Sequence, residues 1–350
     1  MINNYKNLRV LVTGATGFKG SWLFFWLKKI GANVRGVGLE PEKNNILLKS
    51  LKLKSSSNIK NININNFTKL SNEIKSFKPD IIFHLAAQSI VSESFKNPLN
   101  TFSTNIIGSA NILEIVSQNN IPLVMITSDK CYRNKEWLWP YRENDTLGGD
   151  DPYSASKASA EIIFNSYFKT LYPNKKYLKI CTTRAGNVIG GGDMKNNRIV
   201  PDIFRAIFNN KKIYLRNPQS TRPWQHVLEP LFGYLKLGIY LLENKLALKN
   251  TIPNWNFGPD VKNCKDVKYL TKYILDYLNL KIPIKIDKKK FHEQNLLMLD
   301  NTKAKNELNW EPRMDIDSTL EFTTNWYINF NQNNNMYKYT HEQIEEYLNK

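Results

Sequence analysis

The alternation of apolar and polar positions along this 350-residue chain predicts strands and helices in turn. Residues 8–12 form a short apolar run, read as a buried strand, and a glycine-rich turn follows it. Residues 21–30 then carry an apolar helical face that closes at Gly31. Further strands are predicted over 34–39, 81–85, 123–127 and 178–184, with helices over 106–119 and 152–171. The polar, Asn-rich stretch 41–66 reads as loop with a weak strand. Strands alternating with helices imply an α/β fold built on a doubly wound parallel sheet.

After about residue 187 the alternation loosens. Helices are expected over 201–209 and 231–242, with a short strand over 213–215. A capped helix start lies at Asp300-Asn301-Thr302, and a further helix spans 320–330. Residues 331–340 read as a flexible linker before a short charged helix. The division predicted is a dinucleotide-binding Rossmann domain over 1–187, with a later contribution near 226–260. A smaller mixed α/β C-terminal substrate lobe follows over 188–330, and a tail over 331–350.

The formal net charge of +18 would ordinarily suggest an anionic partner. Here Lys rises together with Asn, as in Lys43-Asn44-Asn45 and Asn331-Gln332-Asn333-Asn334-Asn335, and the only dense basic run is Lys288-Lys289-Lys290. A compositional drift explains this better than a nucleic-acid footprint, so no nucleic-acid partner is expected. No apolar run reaches the roughly 18 residues of a membrane span, and the N-terminus enters a strand with no signal-peptide pattern. Cys131, Cys181 and Cys264 are odd in number and scattered, which suits neither a disulfide framework nor a metal site. A cytoplasmic location is expected.

Three clusters carry chemistry. Gly14, Gly17 and Gly20 sit between a strand and a helix, where glycines permit a tight turn and close approach to a pyrophosphate. Glu40, just beyond the second strand, is the candidate acid for an adenosine ribose, and the lack of a clear Arg there favours NAD over NADP. Tyr153 and Lys157 stand one helical turn apart, on one face. An ammonium beside a phenol favours the phenolate and lowers its pKa from about 10, towards a general base. The same spacing is common on ordinary exposed helices. The third cluster is Thr127-Ser128-Asp129-Lys130; the lesser alternative there is that Asp129 simply caps the turn after the strand and Lys130 is a surface charge. His84 and His226 read as structural, and Met125 and Cys131 as core.

These segments resemble the extended short-chain dehydrogenase/reductases, in the nucleotide-sugar dehydratase and epimerase group, and most of all its CDP-sugar 4,6-dehydratase branch. The blocks that carry the resemblance begin with GATGFKGSW from Gly14, HLAAQ from His84, TSDKCY from Thr127 and EWLWPY from Glu136. They continue with LGGDDPYSASK from Leu147, RAGNVIGGGD from Arg184, RPWQHVLEP from Arg222 and WNFGP from Trp255. The resemblance implies that Gly14, Thr16, Gly17, Phe18, Gly20, Glu40, Leu85, Ala86 and Ala87, with Tyr153 and Lys157, hold NAD. It implies that Tyr153 takes the proton from O4 of the sugar, that Lys157 lowers the Tyr153 pKa, and that Ser128 hydrogen-bonds O4. Asp129 matches the acid that protonates the departing C6 hydroxyl. Lys130 replaces the Glu that serves as C5 base in dTDP-glucose enzymes, and would need a pKa well below about 10.4 to do the same. Gln88, Asn187, Arg198, Arg216 and Arg222 are the candidate substrate contacts, the arginines suiting a diphosphate. Glu229 stands where relatives often place an Asp. The activity implied is dehydration of a nucleotide sugar, CDP-glucose in the first instance. Dehydration of a GDP-, UDP- or dTDP-sugar, C4 epimerisation, and a non-catalytic NAD(P)-sensing protein are the alternatives. The helices over 106–119 and 152–171 are apolar on more than one face, and the resemblance implies that they pair in a homodimer.

Overall fold

A computed structural model describes residues 2–42, 45–53, 57–171, 179–243, 252–286 and 296–350. Seven strands form the central sheet: β1 Arg9–Thr13, β2 Asn33–Gly38, β3 Ile59–Asn61, β4 Ile81–His84, β5 Leu123–Ile126, β6 Ile180–Ala185 and β7 Asn254–Phe257. Their order is β7-β6-β5-β4-β1-β2-β3, and every pairing is parallel. β4 and β5 are buried along their whole length, because helices cover both faces of the sheet. The order reverses between β1 and β4, where Thr13 pairs with His84. Connections leaving these two strands diverge there and open a crevice at their carboxyl ends.

Helix α1, Phe18–Lys29, is buried from Gly20 to Leu27 around most of its circumference. One side faces the sheet and the other meets the C-terminal helix Met336–Asn349, where Phe25 packs edge-on to Tyr337 and Trp26 edge-on to Tyr347. The predicted linker over 331–340 and the separate tail are therefore corrected. Helix Ile316–Asn331 is followed by a short turn, and Asn335 caps the last helix by accepting from Lys338 N. The Asn run reads as loop, but one Asn takes the left-handed backbone of the turn (Asn333, φ 57°) and another the cap. Met336, Ile344 and Tyr347 are buried, so this helix is part of the core.

Other differences are local. The helix predicted from residue 106 begins earlier: Pro98–Phe102 runs through a π-helical turn, Ser103–Ile107, into α2, Gly108–Asn119. Stretch 41–66 contains a helix, Ile46–Ser50, as well as β3. Helices Phe67–Phe77 and Val267–Tyr277 were not anticipated; Asn66 and Asp266 cap them. Helices α3 Pro152–Leu171, α4 Ile199–Phe208 and α5 Leu228–Leu242 lie where expected, within a few residues. The strand start at Leu178 and the run Lys288-Lys289-Lys290 fall outside the described residues. In the C-terminal lobe the strand Ile213–Leu215 pairs with Ile284–Ile286, and Thr221–Arg222 with Lys265–Asp266.

Candidate active site

The crevice is a cavity of about 1130 Å³ that runs from the glycine turn, past the ends of β4, β5 and β6, to the C-terminal lobe. Its near end fits a dinucleotide. Gly14 has φ 71°, and a Cβ there would sit 2.7 Å from Ala86 N, so only glycine lets β1 and β4 approach so closely. A Cβ at Gly20 would overlap the Gly14 carbonyl. The first turn of α1 carries no acid, so its N-terminus is free to face an anion. Thr16, Phe18, Leu85 and Ala87 line this end, as does Glu40, whose carboxylate accepts from Asn61 Nδ2 at 3.4 Å. This end of the crevice is therefore shaped as a dinucleotide cradle.

At the end of β5, Ser128 caps a short turn by accepting from Lys130 N at 3.0 Å and hydrogen-bonds the Tyr153 phenol. Tyr153 and Lys157 share one face of α3, with the Lys157 ammonium 5.9 Å from the Tyr153 ring centre. The phenol departs from the sequence expectation: burial pushes it up, to about 12. Burial also lowers the Lys157 ammonium, to about 8. Asp129 is buried in the cleft, and its Oδ2 makes no hydrogen bond among the described residues. Burial raises its carboxyl, against the pull of Lys130, Arg222 and Lys19. Asp129 thus presents to the cleft a carboxylate oxygen, Oδ2, with no hydrogen-bond partner among the described residues, and burial works against its charged form. Lys130 is half-buried and lines the cleft beside it.

Sequence reasoning missed Lys19. It is the one cation inside the glycine turn, which was the available signal. Its ammonium lies 3.5 Å from the Tyr234 hydroxyl, and burial, with Lys157 and Arg198 nearby, lowers it to about 7.

Substrate-side residues divide. Asn187, Arg198, Arg216 and Arg222 all line the cavity. Arg198 pairs with Asp193 at 2.7 Å and reaches Ser89 at 3.2 Å, joining the lobe to the loop after β4. Arg216 donates to Asn197 O at 2.8 Å, and Arg222 is buried near Asp129. Gln88 also lines the cavity, but its amide is engaged within the chain. It donates to Ile90 O and Thr101 Oγ1 and accepts from Ile90 N. His84 sits between Thr13 and Ser109, and His226 between Trp22 and Phe322; burial drives both to about 3, so they are neutral structural groups. Met125 and Cys131 are core.

Residues 11–323 match the GDP-mannose 4,6 dehydratase family. The chain belongs to this family. It is 40% identical to CDP-glucose 4,6-dehydratase of Salmonella typhimurium, over 99% of this chain and 98% of that one. It is 23% identical to dTDP-glucose 4,6-dehydratase of Haemophilus influenzae, over 92% of this chain and 98% of the relative. Among solved structures of the same fold are dTDP-glucose 4,6-dehydratase from Bacillus anthracis in complex with NAD and UDP-glucose 4-epimerase from Thermotoga maritima with UDP-glucose. The first has a TM-score of 0.75 at 23% identity, covering 95% of this chain and 99% of the other. The second has a TM-score of 0.79 at 21% identity, covering 92% and 99%. The similarity to these structures thus accounts for the parallel sheet flanked by helices. Among the described residues, no helix is long and apolar enough to cross a membrane.

Proposed function

We propose that this chain is an NAD-dependent CDP-glucose 4,6-dehydratase, converting CDP-D-glucose to CDP-4-dehydro-6-deoxy-D-glucose and water. The observation that carries the reading is the buried Asp129 carboxyl, its Oδ2 without a hydrogen bond among the described residues, beside the Ser128–Tyr153 pair in a chain 40% identical to a CDP-glucose 4,6-dehydratase over nearly its whole length. A C4 epimerase would need no acid at Asp129, and a non-catalytic NAD(P)-sensing protein would need neither Tyr153 nor Lys157.

NAD fits the cradle of Gly14, Gly17 and Gly20, with Glu40 at the ribose end, and when bound it would supply the two-electron redox chemistry, holding the hydride removed from C4 until it returns to C6 after water has left. Ser128 and Tyr153 hold O4, and Tyr153 accepts its proton. Lys157, kept protonated, stabilises the phenolate as it forms. A ketone at C4 acidifies the C5 proton. Asp129, whose burial favours its protonated form, then delivers a proton to the departing C6 hydroxyl. Lys130 and Lys19 are the two amines close to Asp129, and Lys130 is our choice for C5 base. Arg222 and Arg198, with Arg216 and Asn187, take the diphosphate side of the substrate.

We also infer a homodimer. Leu99, Ile107 and Ile162 are all more than half exposed along the helices from Pro98 to Asn119 and α3, an apolar face suited to an isologous contact. A cytoplasmic location agrees with three free cysteines.

The test is to incubate the purified protein with CDP-, dTDP-, UDP- and GDP-sugars and follow the 4-keto product. CDP-glucose should be converted without net release of reduced nicotinamide. A product from another sugar nucleotide alone, a C4 epimer, or steady accumulation of reduced nicotinamide would overturn the assignment.

A further inference from the structure

Beneath the cleft lies a buried ion pair that no step above uses. Glu161 stands one helical turn after Lys157 on α3, fully buried, with its carboxylate 2.7 Å from the Arg184 guanidinium. The same carboxylate accepts from Thr127 Oγ1 at 2.5 Å and from Thr182 Oγ1 at 2.9 Å. Arg184 in turn donates to the Tyr132 hydroxyl at 2.7 Å and to Glu143 O at 2.9 Å, and Tyr132 donates to Asn256. Thr127 adjoins Ser128 and Asp129, while Arg184 leads into Ala185, Gly186 and Asn187 on the cavity wall. One carboxylate therefore clasps the end of β5, the strand β6 and the helix that carries Tyr153 and Lys157.

We propose that Glu161, held by Arg184, is the positioning residue of this site: it fixes Ser128–Asp129 relative to Tyr153 and sets a buried carboxylate one helical turn from Lys157. This rests on the reading of Lys157 as a working group in dehydration. A buried ion pair is weak grounds for stability by itself, since desolvation offsets its attraction. Its location is what calls for explanation. Burial lowers Lys157, while Cys131 and, after it, Glu161 raise it. The other titratable groups that face it are Tyr153 on its own helix, Lys19 from the glycine turn and His84 from β4, and the last two feel its charge as a repulsion. Among the described residues, Glu161 is the one carboxylate that raises the ammonium.

The experiment reads Lys157 directly. Its side-chain carbon is followed by NMR in uniformly labelled protein, assigned by the signal lost in Lys157→Met, and titrated without substrate. Glu161→Gln removes the charge and should move the Lys157 titration to lower pH, with kcat on CDP-glucose falling by about 10–100-fold as the groups lose registry. Because Glu161→Gln leaves Arg184 buried and unpaired, Glu161→Gln/Arg184→Met removes both charges and should fold while keeping the low Lys157 titration. Glu161→Asp should restore the titration. Thr127→Val should lower kcat with the titration unmoved, because it breaks the clasp and leaves the charge. An unchanged Lys157 titration in either folded charge-removing variant overturns the proposal, as does full kcat in the double variant. Since the titration needs no substrate, failure of the CDP-glucose assay alone would refute the activity and leave this result standing.

Discussion

Glu229 provides the most quantitative forecast. It is buried at the start of α5, where Oε1 accepts from Arg313 N at 2.9 Å and Met314 N at 2.8 Å, and Oε2 from the Tyr347 hydroxyl at 3.0 Å. Arg313 also donates to Tyr347 O and Leu348 O, so this cluster fastens the C-terminal helix to α5. Burial outweighs these hydrogen bonds and raises the carboxyl from 4.5 to about 7. A carboxyl raised on folding binds its proton more tightly in the folded state. Its contribution is therefore most favourable below about pH 4.5, declines as pH rises towards 7, and is flat above. At about 1.4 kcal/mol per pH unit, the difference amounts to about 3 kcal/mol, and with the side chain almost fully buried no solvent discount applies. Glu229→Gln keeps an acceptor for the two amides and cannot ionise. Urea unfolding of both proteins, followed by tryptophan fluorescence from about pH 5 to pH 8, should show the wild type losing about 2.5 kcal/mol relative to the variant, the part of the difference that lies above about pH 5. Equal pH dependence in the two, or a variant that loses more at alkaline pH, would refute the reasoning.

Three further outcomes are expected. Tyr153→Phe should slow C4 oxidation by roughly 10²–10⁴-fold, whereas Asp129→Asn should permit oxidation and stall water loss; rapid-scan nicotinamide absorbance separates them, and normal turnover by Asp129→Asn would exclude it as the acid. Lys130→Met should stop solvent deuterium entering C5 while C4 oxidation continues, and unchanged incorporation would turn attention to Lys19. Leu99→Glu with Ile162→Glu should convert a dimer to a monomer in sedimentation, and a wild-type monomer at micromolar concentration would contradict the homodimer.

Much of the site was legible because its signals are local. A strand, three glycines at fixed spacing and a helix lie within about twenty consecutive residues, and Tyr153 and Lys157 share a face by helical geometry alone. The same locality explains the recovery of the parallel strands, whose apolar runs reflect cover on both faces. The tail misled because Asn serves both loops and caps, and only burial of Met336, Ile344 and Tyr347 shows which role applies.

By itself, then, the chain's pattern determined which side chains share an element: the doubly wound order of strands and helices, the glycine cradle, the Ser128–Asp129–Lys130 run and the Tyr153–Lys157 pair. Only the tertiary structure decided which elements meet, and with that the charge states. It brought Glu161 to Arg184 and Thr127, placed Lys19 beside Tyr234, and joined Glu229 to Tyr347 across 118 positions of sequence. It also reversed the expected direction for Tyr153, raising the phenol to about 12. The physical reason is desolvation: the free energy of a charge depends on how much water its neighbours exclude, and those neighbours come from distant segments whose packing local periodicity does not encode.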